Sequence, residues 1–477
     1  MASRMVGKRK VEALLAWCRA QSIHAVPSDE LPAFTPLSSA PRELSPELHR
    51  ALRDDPRLDY GKVVRREPTC VVFPDSVEQL AALARKLSDE RMRFSVRGTA
   101  HSSGGQGLTT HVLVDTRRMA GIVDDNPDEE RIRVRAGTPW RTVARHLLPQ
   151  GRRPIQMGEN VHISVGGTLS AGLFGDTTHL HGLQITSVRR LTLVTATGQV
   201  LELSADDEIA RHALAGLGQL GIIAEAELAT CRKPQRVLSR VLTWPSVSQY
   251  VDGALRNMER RHHDHVRVRF FYGSPGVAPR LQGPVGRLTT ESQPTAEDER
   301  TWQAMLPLEL GPAENVDLTM TWEANPSGSW ALACPALEVL LPIPEGMHAW
   351  EEMHALVVES GLDAAMLAGT TMMVVGPDAR FPLAPVFPTR PALLVALRPS
   401  LPPEAVPLAL PVMHRLARMA FQAGGRLYLI STLPPGRAWL EHQWKDALPT
   451  LRRLRAACNP LGLLNPESLP LRWGNPR

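Results

Sequence analysis

Two rhythms of apolar residues alternate along the first half of the chain. Val11, Leu14, Leu15 and Cys18 recur at helical spacing, so residues 8–22 predict a short amphipathic helix. A Pro-rich connector from Pro27 to Pro46 follows. The β-branched run 68–74 predicts a strand. Ser76 is then placed to cap a helix through Leu87, with Val77, Leu80, Ala81 and Ala84 on its apolar side. Residues 91–96, 111–115 and the cleanly alternating 131–137 read as strands, and 140–148 as a helix leaving at Gly151. Residues 188–195 and 200–203 form a strand pair turning at Gly198, and 214–228 runs from a short helix end into another strand.

The pattern changes at about Val237. From there to 432 the chain mixes strand-like runs (266–272, 316–322, 337–341, 370–375, 393–397 and 426–430) with helical spacing over 246–260, 347–360 and 405–423. Such α+β content suits a sheet covered by helices on one face. Residues 275–315, rich in Pro, Gly and charge, read as a loop excursion. A last helix is expected over 439–457. A chain of 477 residues exceeds one ordinary core, so two domains are expected.

Composition narrows the class. Hydrophobic residues make up 43% and charged residues 22%, as in a globular protein. The net charge of +5 comes from scattered arginines with acids beside them, as in Arg65-Arg66-Glu67, so no basic stripe for nucleic acid is present. Five cysteines, at 18, 70, 231, 334 and 458, are far apart and read as reduced thiols. No signal peptide and no bilayer-length apolar run is found, which makes the cytoplasm the expected location with no membrane partner. High Pro, Arg, Ala and Leu content has the look of a bacterial protein from a GC-rich genome.

The chemistry centres on Arg97-Gly98-Thr99-Ala100-His101-Ser102-Ser103-Gly104-Gly105-Gln106. Small residues on both sides of a histidine let backbone approach a ligand, and unhindered amides can line the oxygens of a pyrophosphate. A second glycine-rich stretch, Ser164-Val165-Gly166-Gly167-Thr168-Leu169-Ser170-Ala171-Gly172, lies within eighty residues of the first. His162, His179 and His181 fit no metal-ligand spacing, so no metal is expected.

Taken in order, these segments resemble the flavoproteins of the vanillyl-alcohol oxidase / p-cresol methylhydroxylase (PCMH) superfamily, and most the cytokinin dehydrogenases. Residues 66–74 resemble the opening strand of the family's FAD domain. Residues 97–106 resemble its Gly-His-Ser loop, with Ala100 for the glycine before His101. Residues 165–170 resemble its second pyrophosphate segment, His181-Gly182-Leu183-Gln184 the turn after it, and 216–223 its Gly-Leu-Gly-Gln-Phe-Gly-Ile-Ile. Residues 335–342 resemble a strand of the substrate domain, and 439–466 the closing helix and Asp-Pro segment, with Asn459 for Asp and Glu467 for Gly.

The resemblance implies an α+β, two-domain FAD-binding fold of the PCMH type: a discontinuous FAD domain, 1–236 with 433–477, and an α+β substrate domain, 237–432. It implies a histidyl FAD link at His101, and single, since no cysteine stands between Cys70 and Cys231 to add a second. The cofactor-binding residues carried over are Arg97, Gly98, Thr99, Ala100, Ser102, Gln106, Ser164, Gly166, Gly167, Thr168, Ser170, Gly172, Gly221, Ile223 and Asn465. Where cytokinin dehydrogenases have a proton-accepting Asp upstream of Val-Gly-Gly, this chain has Glu159. The function implied is oxidation of a small-molecule substrate by an FAD-linked oxidase or dehydrogenase, with oxygen as a candidate acceptor. A bacterial secondary-metabolite tailoring oxidase is the expected role. A cytokinin-type amine dehydrogenase and a non-catalytic flavin-fold binding protein are the alternatives. Strand alternation over 265–272 sets Arg267 and Arg269 on the face opposite Val266, Val268, Phe270 and Tyr272, as candidate readers of a substrate carboxylate, which would permit oxidative decarboxylation.

Overall fold

The computed structural model describes residues 2–32, 46–158, 160–175, 177–232, 234, 236–273, 278–317 and 332–471. The first layer is a four-stranded sheet in the order His24–Pro27, Cys70–Phe73, Val112–Asp115, Phe94–Arg97. The last three strands are parallel, and the first is an antiparallel edge. Parallel pairing requires a crossover, supplied by the helix Val77–Asp89, whose first turn is fixed by Ser76 accepting the Gln79 amide at 3.2 Å. Leu80, Leu83 and Leu87 of that helix bury against Phe94, Val112 and Val114, with Leu14 and Cys18 of the opening helix Ala2–Ala20 in the same cluster. The loop carrying His101 leaves the carboxyl end of Phe94–Arg97, the edge where parallel sheets receive ligands.

A second sheet is antiparallel, in the order Ile122–Asn126, Arg131–Arg135, Ile222–Arg232, Val188–Val194, Val200–Ser204, with Arg152–Pro154 also paired to Ile222–Arg232. Helices Trp140–Leu147 and Val165–Ala171 cover it, burying Trp140, Val143, Leu147 and Leu169 against Ile132, Val134 and Leu228. The second glycine-rich stretch is therefore largely helix. Gly166 sits there because an added Cβ would stand 2.6 Å from the Cβ of Ala136, so only glycine lets helix and strand approach so closely.

The third sheet has nine antiparallel strands, running Glu309–Asp317, Arg236–Trp244, Arg280–Leu288, Val268–Phe271, Thr370–Val375, Ala392–Leu397, Leu337–Pro342, Arg426–Leu427, with His265–Val266 paired beside Arg280–Leu288. Helices Val247–Arg260, Met347–Glu359 and Val406–Gln422 pack on one face, over Val266, Val268, Val339, Met372, Val374 and Val395. Leu340, Met373, Val375 and Leu394 point the other way and join Phe174, Leu183 and Ile185 of the first unit. Strands Leu337–Pro342, Thr370–Val375 and Ala392–Leu397 thus serve two cores, one under these helices and one against the second sheet.

Of the run 275–315, the described residues 278–315 are not a loop excursion. Residues 278–317 give the strand Arg280–Leu288, the helix Ala296–Ala304 with a Thr295/Asp298 capping box, and the strand Glu309–Asp317. The glycines that read as loop signals permit close strand approach, since a Cβ at Gly283 would lie 1.9 Å from the Arg267 carbonyl oxygen. The expected strand 316–322 is instead the end of Glu309–Asp317, and 318–322 lies outside the described residues. The single helix expected over 439–457 is two, Ala438–Gln443 and Leu448–Cys458, the second with proline in its first turn. Trp439, Leu440, Trp444 and Leu451 from these helices join the cap cluster, whereas Leu463 and Leu464 return to the four-stranded sheet.

Candidate cofactor cleft

A cleft of about 1030 Å³, a volume that includes space open to solvent, runs between the first two sheets. Its walls are the two glycine segments. They touch: Ser164 N donates to Thr99 Oγ1 at 3.2 Å, and a Cβ on Gly98 would lie 2.1 Å from Ser164 Oγ. Arg97, Gly98, Thr99, Ala100, His101, Ser102 and Gln106 line one side, and Ser164, Gly166, Gly167, Thr168 and Ser170 the other. Gly221, Ile223 and Asn465 complete the carried-over set in the lining, while Gly172 does not line the cleft and ends the helix at φ 75°. Arg267 and Arg269 do not line it, and Glu159 lies outside the described residues.

Asn465 closes one end from far along the chain. Its Oδ1 accepts the Val96 amide at 2.9 Å and its Nδ2 donates to the Gly218 carbonyl at 2.9 Å, tying the two sheets together. Leu217, Gly218, Tyr428 and Ile430 also line the cleft and were not on the sequence-derived set. The Gly-Leu-Gly motif was a usable signal for the first two. Nothing in the sequence marks Tyr428, which the strand Arg426–Leu427 delivers just before a turn.

The His101 loop is stitched to that turn. Gln106 Nε2 donates to the carbonyls of Leu429 (2.7 Å) and Ser431 (2.8 Å), and the Ser103 amide donates to Ile430 O at 2.8 Å. Ala100, standing where the related motif has glycine, holds φ 55°, a left-handed conformation that costs a non-glycine residue about 1–2 kcal/mol.

Electrostatically the cleft is nearly neutral. Among the described residues Arg97 is the one Lys, Arg, Asp or Glu in the lining; it is 3% exposed, pairs with Asp115 at 3.4 Å and donates to the Asp55 carbonyl. His101 is uncharged at neutral pH, because burial pulls its pKa down to about 4. Its Nδ1 lies 3.1 Å from the Thr99 carbonyl, so Nδ1 carries the proton and Nε2 keeps its lone pair. The ring stacks on Tyr60 with centroids 5.6 Å apart. Among the described residues no group of His, Cys, Asp and Glu could hold a metal, and no helix is long and apolar enough to cross a membrane.

Residues 68–204 match the family model described as FAD binding domain. An uncharacterized oxidoreductase of the fasciation locus of Rhodococcoides fascians is 30% identical over 221 residues, 46% of this chain and 50% of that protein. Cytokinin dehydrogenase 5 of Arabidopsis thaliana is 35% identical over 190 residues, 38% of this chain and 35% of that protein. Cytokinin dehydrogenase 1 of Oryza sativa subsp. japonica is 32% identical over 202 residues, 39% of this chain and 38% of that protein. The chain thus spans half or less of the length of these relatives. The lining fits an elongated dinucleotide: the glycine segments leave backbone exposed to the cleft where a pyrophosphate needs donors, and Ile163, Leu173, Ile223 and Ile430 supply apolar contact for flat rings.

Proposed function

We propose that the chain is a PCMH-type FAD-linked protein, similar over part of its length to cytokinin dehydrogenases, and an FAD-dependent oxidoreductase that oxidises a small organic molecule held between the cleft and the cap, with the cofactor joined once, to His101. The observation that supports this most is the pose of His101, a neutral, buried imidazole in the cleft wall with Nδ1 tied down and Nε2 left as the nucleophilic nitrogen. FAD, when bound, supplies the sink for the electron pair leaving the substrate. His101 Nε2 would hold the flavin at its 8α-methyl carbon, an attachment that would release one proton from the methyl group and one from the imidazole and would need a two-electron acceptor such as dioxygen.

Acid precipitation of the purified protein tests the link. Wild type should keep its flavin in the pellet, with an intact mass raised by one FAD, and His101→Ala should release it. Complete release from wild type would remove the assignment.

Glu159 is proposed as the general base that takes the substrate proton. Its register six residues before Val165-Gly166-Gly167 supports this role. A base of this kind contributes about a hundredfold or more. Flavin reduction by substrate in Glu159→Gln should therefore slow by that factor, and slowing of less than about threefold excludes the role.

A second reading, an acidic substrate and hence oxidative decarboxylation, draws on the cap strand. Val266 and Val268 enter the cap core, which turns Arg267 and Arg269 to the opposite face, with Arg269 paired across to Thr371. Arg269→Met should then raise KM for an acid more than for its neutral ester, and an equal rise for both ends that reading. Cytokinins, named for two of the relatives, are the first amine substrates to assay, and a tailoring role in bacterial secondary metabolism is the wider setting in which to search.

A further inference from the structure

The strip Asp59-Tyr60-Gly61-Lys62 has no regular secondary structure, yet it is pressed along the outer side of the His101 loop. Two main-chain bonds bracket the histidine: the Tyr60 amide donates to Ala100 O at 2.8 Å, and the Gly61 amide to Ser102 O at 3.1 Å. A side chain at position 61 would meet the Ser103 carbonyl oxygen at 2.2 Å, so contact along the strip is as close as backbone permits. Asp59 is 0% exposed. Its Oδ2 accepts the Gly105 amide at 2.7 Å and Ser102 Oγ at 3.0 Å, and its Oδ1 accepts the Lys62 amide at 3.1 Å. The Tyr60 ring lies over the imidazole at an interplanar angle of 13°.

Burying a carboxylate is costly unless it is well bonded, and here it is bonded to both ends of a loop that has no sheet or helix to hold its shape. The donors it gathers are residue 102, next to the histidine, and residue 105, past the turn. What the strip fixes is thus the path of the chain through residue 101 and, by the Tyr60 ring, the plane of its side chain. Burial also lifts the Asp59 pKa to about 6, opposed by the Gly105 amide and the Ser102 hydroxyl.

We propose that Asp59 and Tyr60 are positioning residues for His101: together they hold the imidazole in the pose from which Nε2 bonds the flavin. This rests on the histidyl link proposed above and adds to it a requirement that residues outside the glycine loop must meet.

The test separates attachment from binding and folding. Full-length wild type, Asp59→Asn, Tyr60→Phe and Tyr60→Leu are made in riboflavin-starved cells and mixed with FAD. Total flavin is read by absorbance, and covalent flavin by fluorescence of the denatured protein in a gel, over time. Asp59→Asn keeps the shape but turns a donor toward the amides, and it should bind flavin while attaching it at least tenfold more slowly. Tyr60→Leu should behave likewise, and Tyr60→Phe, which keeps the ring, should attach at close to the wild-type rate. If Asp59→Asn fails to fold, the Tyr60 pair decides, since that ring can be changed without burying an unmatched charge. Wild type that attaches flavin while Asp59→Asn and Tyr60→Leu do so within twofold of its rate overturns this inference alone. Wild type that never attaches flavin overturns the histidyl link and this inference together.

Discussion

Tyr428 illustrates how one atom can carry a site. Its side chain is 1% exposed in the cleft wall, edge-on to Phe174 with centroids 5.1 Å apart, and its hydroxyl meets no hydrogen-bond partner among the described residues. Burial raises its pKa well above that of free tyrosine, so it stays a neutral donor. A buried hydroxyl without a partner costs about 1–3 kcal/mol, a cost that a polar atom of a bound cofactor would remove. Tyr428→Phe should therefore stabilise the cofactor-free protein by about 1 kcal/mol and destabilise the flavin-loaded one. Urea unfolding of both forms checks this, and a change of the same sign in both would place the hydroxyl away from the cofactor. Sequence reasoning reached the glycines and His101 because their smallness and order are visible in one dimension. Tyr428 and Asp59 were not legible, since each is an ordinary residue made special by what a distant segment lays against it.

At the scale of elements, the parts with a clean period were readable. The alternating run 131–137 is the strand Arg131–Arg135, and the Ser76 cap starts the helix Val77–Asp89 as its residue type predicts. The run 275–315 reads as a loop because Gly283, Pro284 and Gly286 look like turn residues, and only the neighbouring strands reveal why they are tolerated. Gly286 would place a Cβ 2.4 Å from the Leu238 carbonyl oxygen, so glycine here thins the central strand against its partner. Gly283→Ala should cost about 2–3 kcal/mol, because the obstructing atom is backbone and cannot swing aside. A urea midpoint unmoved by the substitution would show that Arg280–Leu288 does not pair as described.

For the molecule as a whole, three buried histidines set the response to acid. His101 and His179 are pulled down to about 4 and His263 to about 3, by burial first in each case. His179 and His263 meet at the seam between the units, the His179 Nε2 donating to the His263 carbonyl at 2.8 Å. Unfolded histidine titrates near 6.5, so between about pH 6.5 and 4 the unfolded chain binds protons that the folded one refuses. Stability from these groups is complete above that range and lost as pH falls through it. Asp59, lifted to about 6, works the other way, but His212, Asp125 and Asp298 are lowered and add to the loss on acidification. The melting temperature should fall steadily from about pH 6.5 to 4, and His179→Gln should flatten the slope. A melting temperature constant across that range would contradict the buried, neutral rings.

Asn465 reaches back 369 residues of chain to Val96 and 247 to Gly218. On a ribosome adding about 5–20 residues per second, the loop that bears His101 waits roughly 20–70 s for the residue that closes its cleft. During that interval the glycine segments have emerged but the end wall has not, and a nucleotide entering from the cell would find a trough with one side missing. Full enclosure of a nucleotide therefore waits on the emergence of Asn465, long after the loop it serves has left the ribosome.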